Sequence, residues 1–361
     1  RIIFLIAIAN YNFKMIASSP VWDLTVGNEI IPQLLTTNAY AITVKGELLI
    51  NEASQFIANG LNVTLKGNIV NKNTSASTNL TEGGYQPGTN TQTTIFSGNI
   101  QNITGTENNL TNFANLVIEP TSSVSLLENT TVRVNNTLEI RSGTLIDGGN
   151  FVYAAGDIVN TSIHVSSQSS GGINLVGMKN QKLRGYGATY GNIIIDNSHG
   201  ISLLDNTTIN GRLILENGLL YIDDYLLTLG VNATVEGAFD NSKMIMLNGV
   251  LSDLGVRKMF SSVTSSQFTI PIGTGGKYTP ATYTVTTGTP GAITVRPVNR
   301  EHPALYDVAG NELQYYWSVN ATGFGTDLQL THKYQYIEED VLGTIDQYVV
   351  GLYHYDTYLW N

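Results

Sequence analysis

Ser125-Leu126-Leu127-Glu128-Asn129-Thr130-Thr131-Val132 returns as Ser202-Leu203-Leu204-Asp205-Asn206-Thr207-Thr208-Ile209, an offset of 77 positions (125 to 202). Each octapeptide sits in a longer parallel text: FANLVIEPTSSVSLLENTTVRVNNTLEIRSGTLI over 113–146 and YGNIIIDNSHGISLLDNTTINGRLILENGLLYI over 190–222. Past the octapeptide the offset slips by two residues, as a shortened turn would cause. A recurring period of this kind marks a repeat architecture and outranks other sequence signals. A weaker third match, TVKGELLI from Thr43 to Ile50 against TINGRLIL from Thr208 to Leu215, shows that the repeated unit is smaller than the long pair.

Outward from these copies, residues 21–260 are short apolar runs broken by Gly, Asn and Asp. Ala41-Ile42-Thr43-Val44, Leu116-Val117-Ile118, Ile193-Ile194-Ile195 and Leu226-Leu227-Thr228-Leu229 are examples. Each run is strand-length, rich in β-branched residues and bounded by turn formers, with no helical periodicity. Strand signals recur about every 8–10 residues, so three to four coils of roughly 20 residues fill one long period. In such a β-solenoid each coil buries its inward Ile, Leu and Val against the next. Asn stacks at the corners, where it tolerates left-handed turns, and Thr suits the start of a strand. The long copies give super-repeats over 113–189 and 190–260. Residues 71–94 (NKNTSASTNLTEGGYQPGTNTQTT) read as a polar loop protruding from one coil.

After about residue 261 the spacing lengthens and polar and apolar residues alternate. Gln267 to Gly273, Ala281 to Val285, Leu313 to Val319 and Asp327 to Tyr334 show the pattern, in a tyrosine-rich text. This predicts a β-sandwich, Ig-like domain over 265–361, entered near 260–266. At the other end, Arg1 precedes the apolar run Ile2 to Ala9, the outline of a signal peptide, so 1–20 reads as a signal-peptide remnant or an N-terminal strand. The run is too short to span a bilayer.

Composition narrows the function. Charged residues are 13% of the 361, against a usual quarter or so, while 42% are hydrophobic. That balance suits strands and tight turns, not a disordered polyampholyte. A net charge of −10 with 18 scattered Lys and Arg argues against a nucleic-acid surface. Cysteine is absent, which excludes thiol nucleophiles, disulfides and iron–sulfur centres.

The motifs that invite chemistry read as structure. Ile272-Gly273-Thr274-Gly275-Gly276-Lys277-Tyr278 lacks the first Gly, the Ser or Thr and the helix of a phosphate loop, and predicts a hairpin turn. His164, His199, His302, His332 and His354 lack ligand spacing and read as surface or strand residues. Asp223-Asp224 predicts a turn, since neighbours on a strand point to opposite faces. Arg133, Arg141, Arg184 and Arg212 have no acidic cluster recurring beside them, as a pectate-lyase-like β-helix enzyme would require. Asn-x-Ser/Thr occurs eleven times, close to what a chain so rich in these residues produces by composition. No catalytic, metal or cofactor-binding residue is assigned, and no cofactor is implied.

The repeats resemble the repeat-rich secreted and cell-surface β-helix proteins of Bacteroidetes, many exported by type IX secretion. Their pattern of aromatic-x-Asn-aliphatic-x-Ile, Val-x-Leu and Thr-Val-x-Gly-x-Leu is similar to Phe113 to Ile146 and Tyr190 to Ile222. Phe268 to Gly273 with Tyr278-Thr279-Pro280, and Tyr316-Trp317-Ser318-Val319 with Gly323-Phe324, look like the strand segments that follow it. The resemblance implies a right-handed parallel β-helix followed by the sandwich, in a protein exported to the bacterial surface. It implies a non-catalytic adhesin or extracellular scaffold whose partners are glycans or other surface proteins. A pectate-lyase-like enzyme and a carbohydrate-binding module, the latter requiring an exposed aromatic strip in the tyrosine-rich tail, are the alternatives.

Overall fold

The computed structural model describes residues 20–27, 40–75, 77–106, 110–127, 129–167, 169–261, 265–286, 289–305, 310, 312–326, 328–343 and 351–360. It also gives the backbone of short strands at Ile2–Ile3, Asn12–Lys14 and Leu34–Thr36. The rest of residues 1–19, within the stretch expected as a signal-peptide remnant or an N-terminal strand, lies outside the described residues. Among them the only helical piece is a single 3-10 turn at Glu338–Asp340.

The strands stack into a β-solenoid of about ten turns, each turn visiting three faces. The first face is a 14-stranded sheet in which each successive coil contributes one parallel strand, from Ile2–Ile3 and Leu24–Val26 to Leu227–Leu229 and Val256–Phe260. The third face runs in parallel from Ile42–Val44 to Ile272–Thr274. Strands Leu110–Ile118 and Thr131–Ile140 turn the corner between second and third faces, with a register shift between Phe113 and Asn115 where the bend falls. Coil length varies: Thr144 pairs with Ile163, 19 residues on, but Ile69 with Ile103, 34 residues on. Extra residues leave at the corners, so the ladders keep their register.

Alternation along many of the three-residue strands sends side chains in, out and in again, and the burial follows it: Leu48–Ile50, Val63–Leu65 and Leu227–Leu229 all bury their first and third residues. Stacked coils align these into columns such as Leu24, Leu48, Ile69, Ile103 and Leu126. Each is essentially inaccessible and contributes about 1.5–3 kcal/mol by leaving water. One apolar cluster runs from Val21 to Val295.

The duplicated octapeptide does not occupy equivalent places. Strand Ser123–Leu126 belongs to the first face and the strand beginning at Thr131 to the second; Ile201–Leu203 belongs to the third and Thr207–Ile209 to the first. The 77-residue offset is therefore not a whole number of coils. What repeats is a strand, a corner and a strand, usable at more than one corner of the coil. The weaker match behaves likewise, crossing from third to first face at Gly46 and from first to second at Gly211. Both glycines answer to close approach: a Cβ on Gly46 would strike Asp23, and one on Gly211 would strike Asn192 and the Gly191 backbone. Asn129 has the left-handed φ of +60° that its corner was expected to need.

Corner amides recur as expected, through hydrogen bonds between coils. The side-chain oxygens of Asn68, Asn192 and Asn206 accept the backbone N–H groups of Asn102, Arg212 and Leu226 in the following coil, each at 2.9 Å. Asn136 donates to Asn115, which donates to the Asn90 carbonyl, a three-coil stack. The polar stretch 71–94 is loop only in part. Tyr85–Gln86 is a second-face strand, and the Tyr85 ring lies in the core between Phe56 and Phe113, with centroids 5.6 and 5.3 Å away.

Beyond residue 261 the chain turns antiparallel. Gly291–Val298 pairs with Val256–Phe260 and Tyr316–Thr322 pairs with it in turn, extending the first face. Ser266–Ile270, Ala281–Val285 and Leu330–Tyr334 form a small three-stranded sheet. The sequence predicted a sandwich here; the structure shows these small antiparallel sheets, the first continuous with the solenoid. Gly275 and Gly276, both at positive φ, make the expected hairpin between Ile272–Thr274 and Lys277–Tyr278.

Candidate functional site

The solenoid surface divides by charge. From Thr25 to Thr228 the outward residues of the described first-face strands are Thr, Ser, Asn, Ile, Leu and Val, with no charged side chain. Charges collect around the other two faces, and several arginines there are paired. Arg141 meets Glu119 at 3.1 Å and Glu139 at 2.7 Å, Arg212 meets Glu236 at 2.6 Å, and Arg184 approaches Asp205 at 4.0 Å. Arg133 is bonded to Asn135 at 3.0 Å. The glutamate holds the Arg212 guanidinium above its ordinary value, and the guanidinium holds Glu236 below its own. Among the described residues no group of three or more His, Cys, Asp or Glu converges. Asp223 lies in a turn at φ +45°.

Chemistry-bearing side chains do converge inside the solenoid. Two adjacent inward columns of the first face, whose members one and two coils earlier include Val124, Leu126 and Leu145, carry Asp147, His164 and Ser166. Leu145 pairs with His164, and Asp147 and Ser166 follow the paired residues Ile146 and Val165. His164 Nε2 donates to Asp147 Oδ2 at 3.1 Å, with neither side chain accessible. Ser166 Oγ donates to the same oxygen, and the Gly149 amide to Asp147 Oδ1 at 2.9 Å. The Gly191 amide donates to His164 Nδ1 at 3.2 Å, which leaves the ring proton on Nε2. These are the residue types of a nucleophilic triad in a different arrangement. In a triad the imidazole stands between serine and carboxylate and takes the serine proton. Here serine and histidine both donate to the carboxylate, and the second imidazole nitrogen is capped by backbone. The cluster closes a polar gap in the core, with the serine proton directed to the carboxylate and not to the imidazole.

Sequence reasoning missed this cluster for a definite reason. Ile163-His164-Val165 suggests Ile and Val inward, but His164 is buried and its neighbours are exposed at 46% and 42%. The partners lie 17 and 2 residues away, so only the coil register joins them. Three further buried polar side chains each close a corner of the preceding coil. Gln101 Nε2 bonds the Leu65 and Gly67 carbonyls and Gln181 Nε2 those of Ala154 and Gly156, while both accept a glycine amide at Oε1. Lys258 Nζ bonds the Gly230, Val231 and Ala233 carbonyls at 2.6, 2.8 and 3.0 Å. A Gly three or four positions before a Gln is the one trace these corners leave in the sequence.

The antiparallel region carries two aromatic groups on opposite sides of strand Tyr316–Thr322. Trp317 stacks on Tyr334 at 4.8 Å and meets the buried Tyr315 edge-on at 5.6 Å, an inward group; burial pushes the Tyr315 hydroxyl up to about 12. Tyr316 faces the other way, onto His302 at 4.7 Å, with Tyr353 at 4.8 Å and Trp360 at 5.0 Å from the same imidazole. Trp360 is 42% and Tyr355 74% exposed. Of the six aromatics that an exposed strip in the tail would use, Tyr315 is buried, Tyr336 is exposed, and Tyr316, Trp317, Tyr334 and Tyr353 are half-buried. Beside the second group lies an open cleft of about 520 Å³ lined by Lys277, Asn299, Arg300, Glu301 and Gln314.

Fold and surface together define a β-solenoid protein with an antiparallel C-terminal extension. No family profile matches the chain, and comparison with curated proteins and with solved structures likewise finds no match. No helix among the described residues is long and apolar enough to cross a membrane.

Proposed function

We propose that the chain is a non-catalytic, exported bacterial surface protein, an elongated adhesin or extracellular stalk. In this reading it is a right-handed parallel β-helix ending in a sandwich-like module, of the kind that the Bacteroidetes resemblance implies. The observation that carries it is the continuous core with its outward arginines already occupied by neighbouring side chains. Parallel crossovers are right-handed in nearly all proteins. About ten coils at roughly 4.8 Å each give a rod body near 50 Å long. Such a body offers length, and adhesion arises from many weak contacts or from a distinct site at one end.

The pectate-lyase alternative calls for several carboxylates and an arginine in one groove; Arg141 with two glutamates is the nearest approach among the described residues. The test is incubation of the full chain with polygalacturonate and calcium. No unsaturated uronate is expected, and its release would overturn the stalk reading. In parallel, antibody labelling of intact producing cells is expected to reach the protein, and labelling seen only after lysis would remove the surface assignment.

A further inference from the structure

The cleft beside His302 is a built surface whose chemistry points to a ligand. Its five lining side chains are polar, and two of them, Arg300 and Glu301, meet no opposite charge among the described residues. Lys277 is bound to Asp340 at 2.7 Å and sits above the Tyr315 ring at 5.3 Å. Gln314 donates to Glu301 at 3.4 Å. Arg300 is exposed; its backbone N–H donates to the Val298 carbonyl at 2.9 Å, and its guanidinium makes no hydrogen bond or ion pair with any described residue. A guanidinium of this kind is a planar fork matched to a carboxylate.

Next to these residues along the chain stands the aromatic group around His302. His302 follows two of the lining residues in sequence, and its ring is fixed by the Ala304 amide, which donates to Nδ1 at 3.2 Å. The proton is therefore on Nε2. Burial, and then Arg300, lower the basicity of the imidazole, so at neutral pH it is an uncharged donor. Trp360 and Tyr353, 5.1 Å apart, extend the aromatic surface from His302 toward solvent, and Trp360 Nε1 reaches the Ala304 carbonyl at 3.4 Å. Rings with one face packed and one face wet suit a ligand that is apolar on one side and hydroxylated on the other.

We propose that this cleft binds an acidic saccharide, a uronate-bearing glycan. A sugar ring lies on the Trp360 and Tyr353 surface, its hydroxyls meet Asn299, Glu301 and Gln314, and its carboxylate pairs with Arg300. The openness of the cleft suits a stretch of polymer. An acidic peptide would use Arg300 but has no ring face for the aromatic group. The site goes beyond the stalk reading and does not depend on it.

The test is calorimetric titration of the full chain with three probes: hexagalacturonate, the neutral galactose hexamer and hexaglutamate. Hexagalacturonate is expected to bind at least tenfold more tightly than either. Arg300→Ala is expected to erase the preference for the acidic over the neutral sugar, and Trp360→Ala to weaken both sugars tenfold or more. Both side chains are at the surface, and unchanged thermal melts are expected to confirm folding. Equal binding of hexaglutamate, unaltered by Trp360→Ala, would replace the saccharide with an acidic protein partner and overturn the proposal. So would the absence of binding at millimolar saccharide, or sugar binding insensitive to both substitutions. None of these outcomes touches the stalk reading, which falls on release of unsaturated product whatever Arg300 does.

Discussion

The same inward column of the first face carries a histidine in mid-body and a lysine at the last parallel coil. His164 is followed by Tyr190, Ile209, Leu229 and Lys258, four coils on. In mid-body the polar residue arrives with partners: Asp147 and Ser166 occupy the neighbouring column, and Gly149 and Gly191 complete the bonds. At the end it arrives alone, and Lys258 makes no ion pair among the described residues, only three bonds to carbonyls and a contact above the Phe268 ring at 4.7 Å. A stacked core thus admits a polar group in two ways. Coils on both sides can supply a closed network, or the preceding corner can present its carbonyls. Gln101 and Gln181 use the second way in mid-body, and the charged Lys258 uses it where parallel stacking stops and Gly291–Val298 adds antiparallel, pairing Lys258 with Ile293.

The mid-body network is expected to be the more brittle of the two. Asp147→Ala leaves the His164 N–H, the Ser166 hydroxyl and the Gly149 amide without acceptors in a dry interior, and a loss of about 3–5 kcal/mol is expected. Because a solenoid can open locally, the measurement is native-state hydrogen exchange, with protection falling most across 126–192. The combined change Asp147→Leu, His164→Leu, Ser166→Ala restores an aliphatic column and is expected to recover most of that stability. If the triple variant were as unstable as Asp147→Ala, the network would be holding coil register and not merely filling space. Ile209→Ala, in the same column, sets the aliphatic scale: a cavity there is expected to cost about 2–4 kcal/mol in denaturant unfolding.

How far the sequence reaches follows from the same residues. Strand existence, stacking and corner amides are legible because they rest on local signals: Leu48–Ile50 and Leu227–Leu229 alternate as written, and Asn129 takes the turn its type allows. Facing is less legible. The octapeptide copies are identical in style yet lie on different faces, because corner spacing varies from coil to coil and the strands themselves carry no label of face. Tyr85 looked like part of a polar loop because its neighbours are polar, yet it fills the space between Phe56 and Phe113 one coil to either side. The aromatic group around His302 was legible only as a concentration of tyrosines. Which of them look outward depends on the alternation of Tyr315, Tyr316 and Trp317 about an edge strand that sequence alone does not orient.

The smallest expected loss near pH 7 belongs to Lys258, and with it comes a dependence on pH. Burial lowers this ammonium to about 8, while an unfolded lysine keeps its proton to about 10.5. Between those values the unfolded chain holds a proton that the folded chain has released, so the lysine makes stability rise with pH across that window and leaves it flat below. Lys258→Met deletes the titration but strands three corner carbonyls, a loss of about 1–2 kcal/mol near pH 7. Wild type is therefore expected to gain on Lys258→Met as pH goes from 8 to 10.5, in paired denaturant titrations that cancel every other titrating group. The carbonyl cage and the burial act in opposite senses on the charged form. A gap that stays constant to pH 10.5 would mean the Gly230, Val231 and Ala233 oxygens solvate the ammonium as well as water does. The end of the solenoid would then be as fully satisfied as its middle, and the contrast between the two polar sites would reduce to one of partners alone.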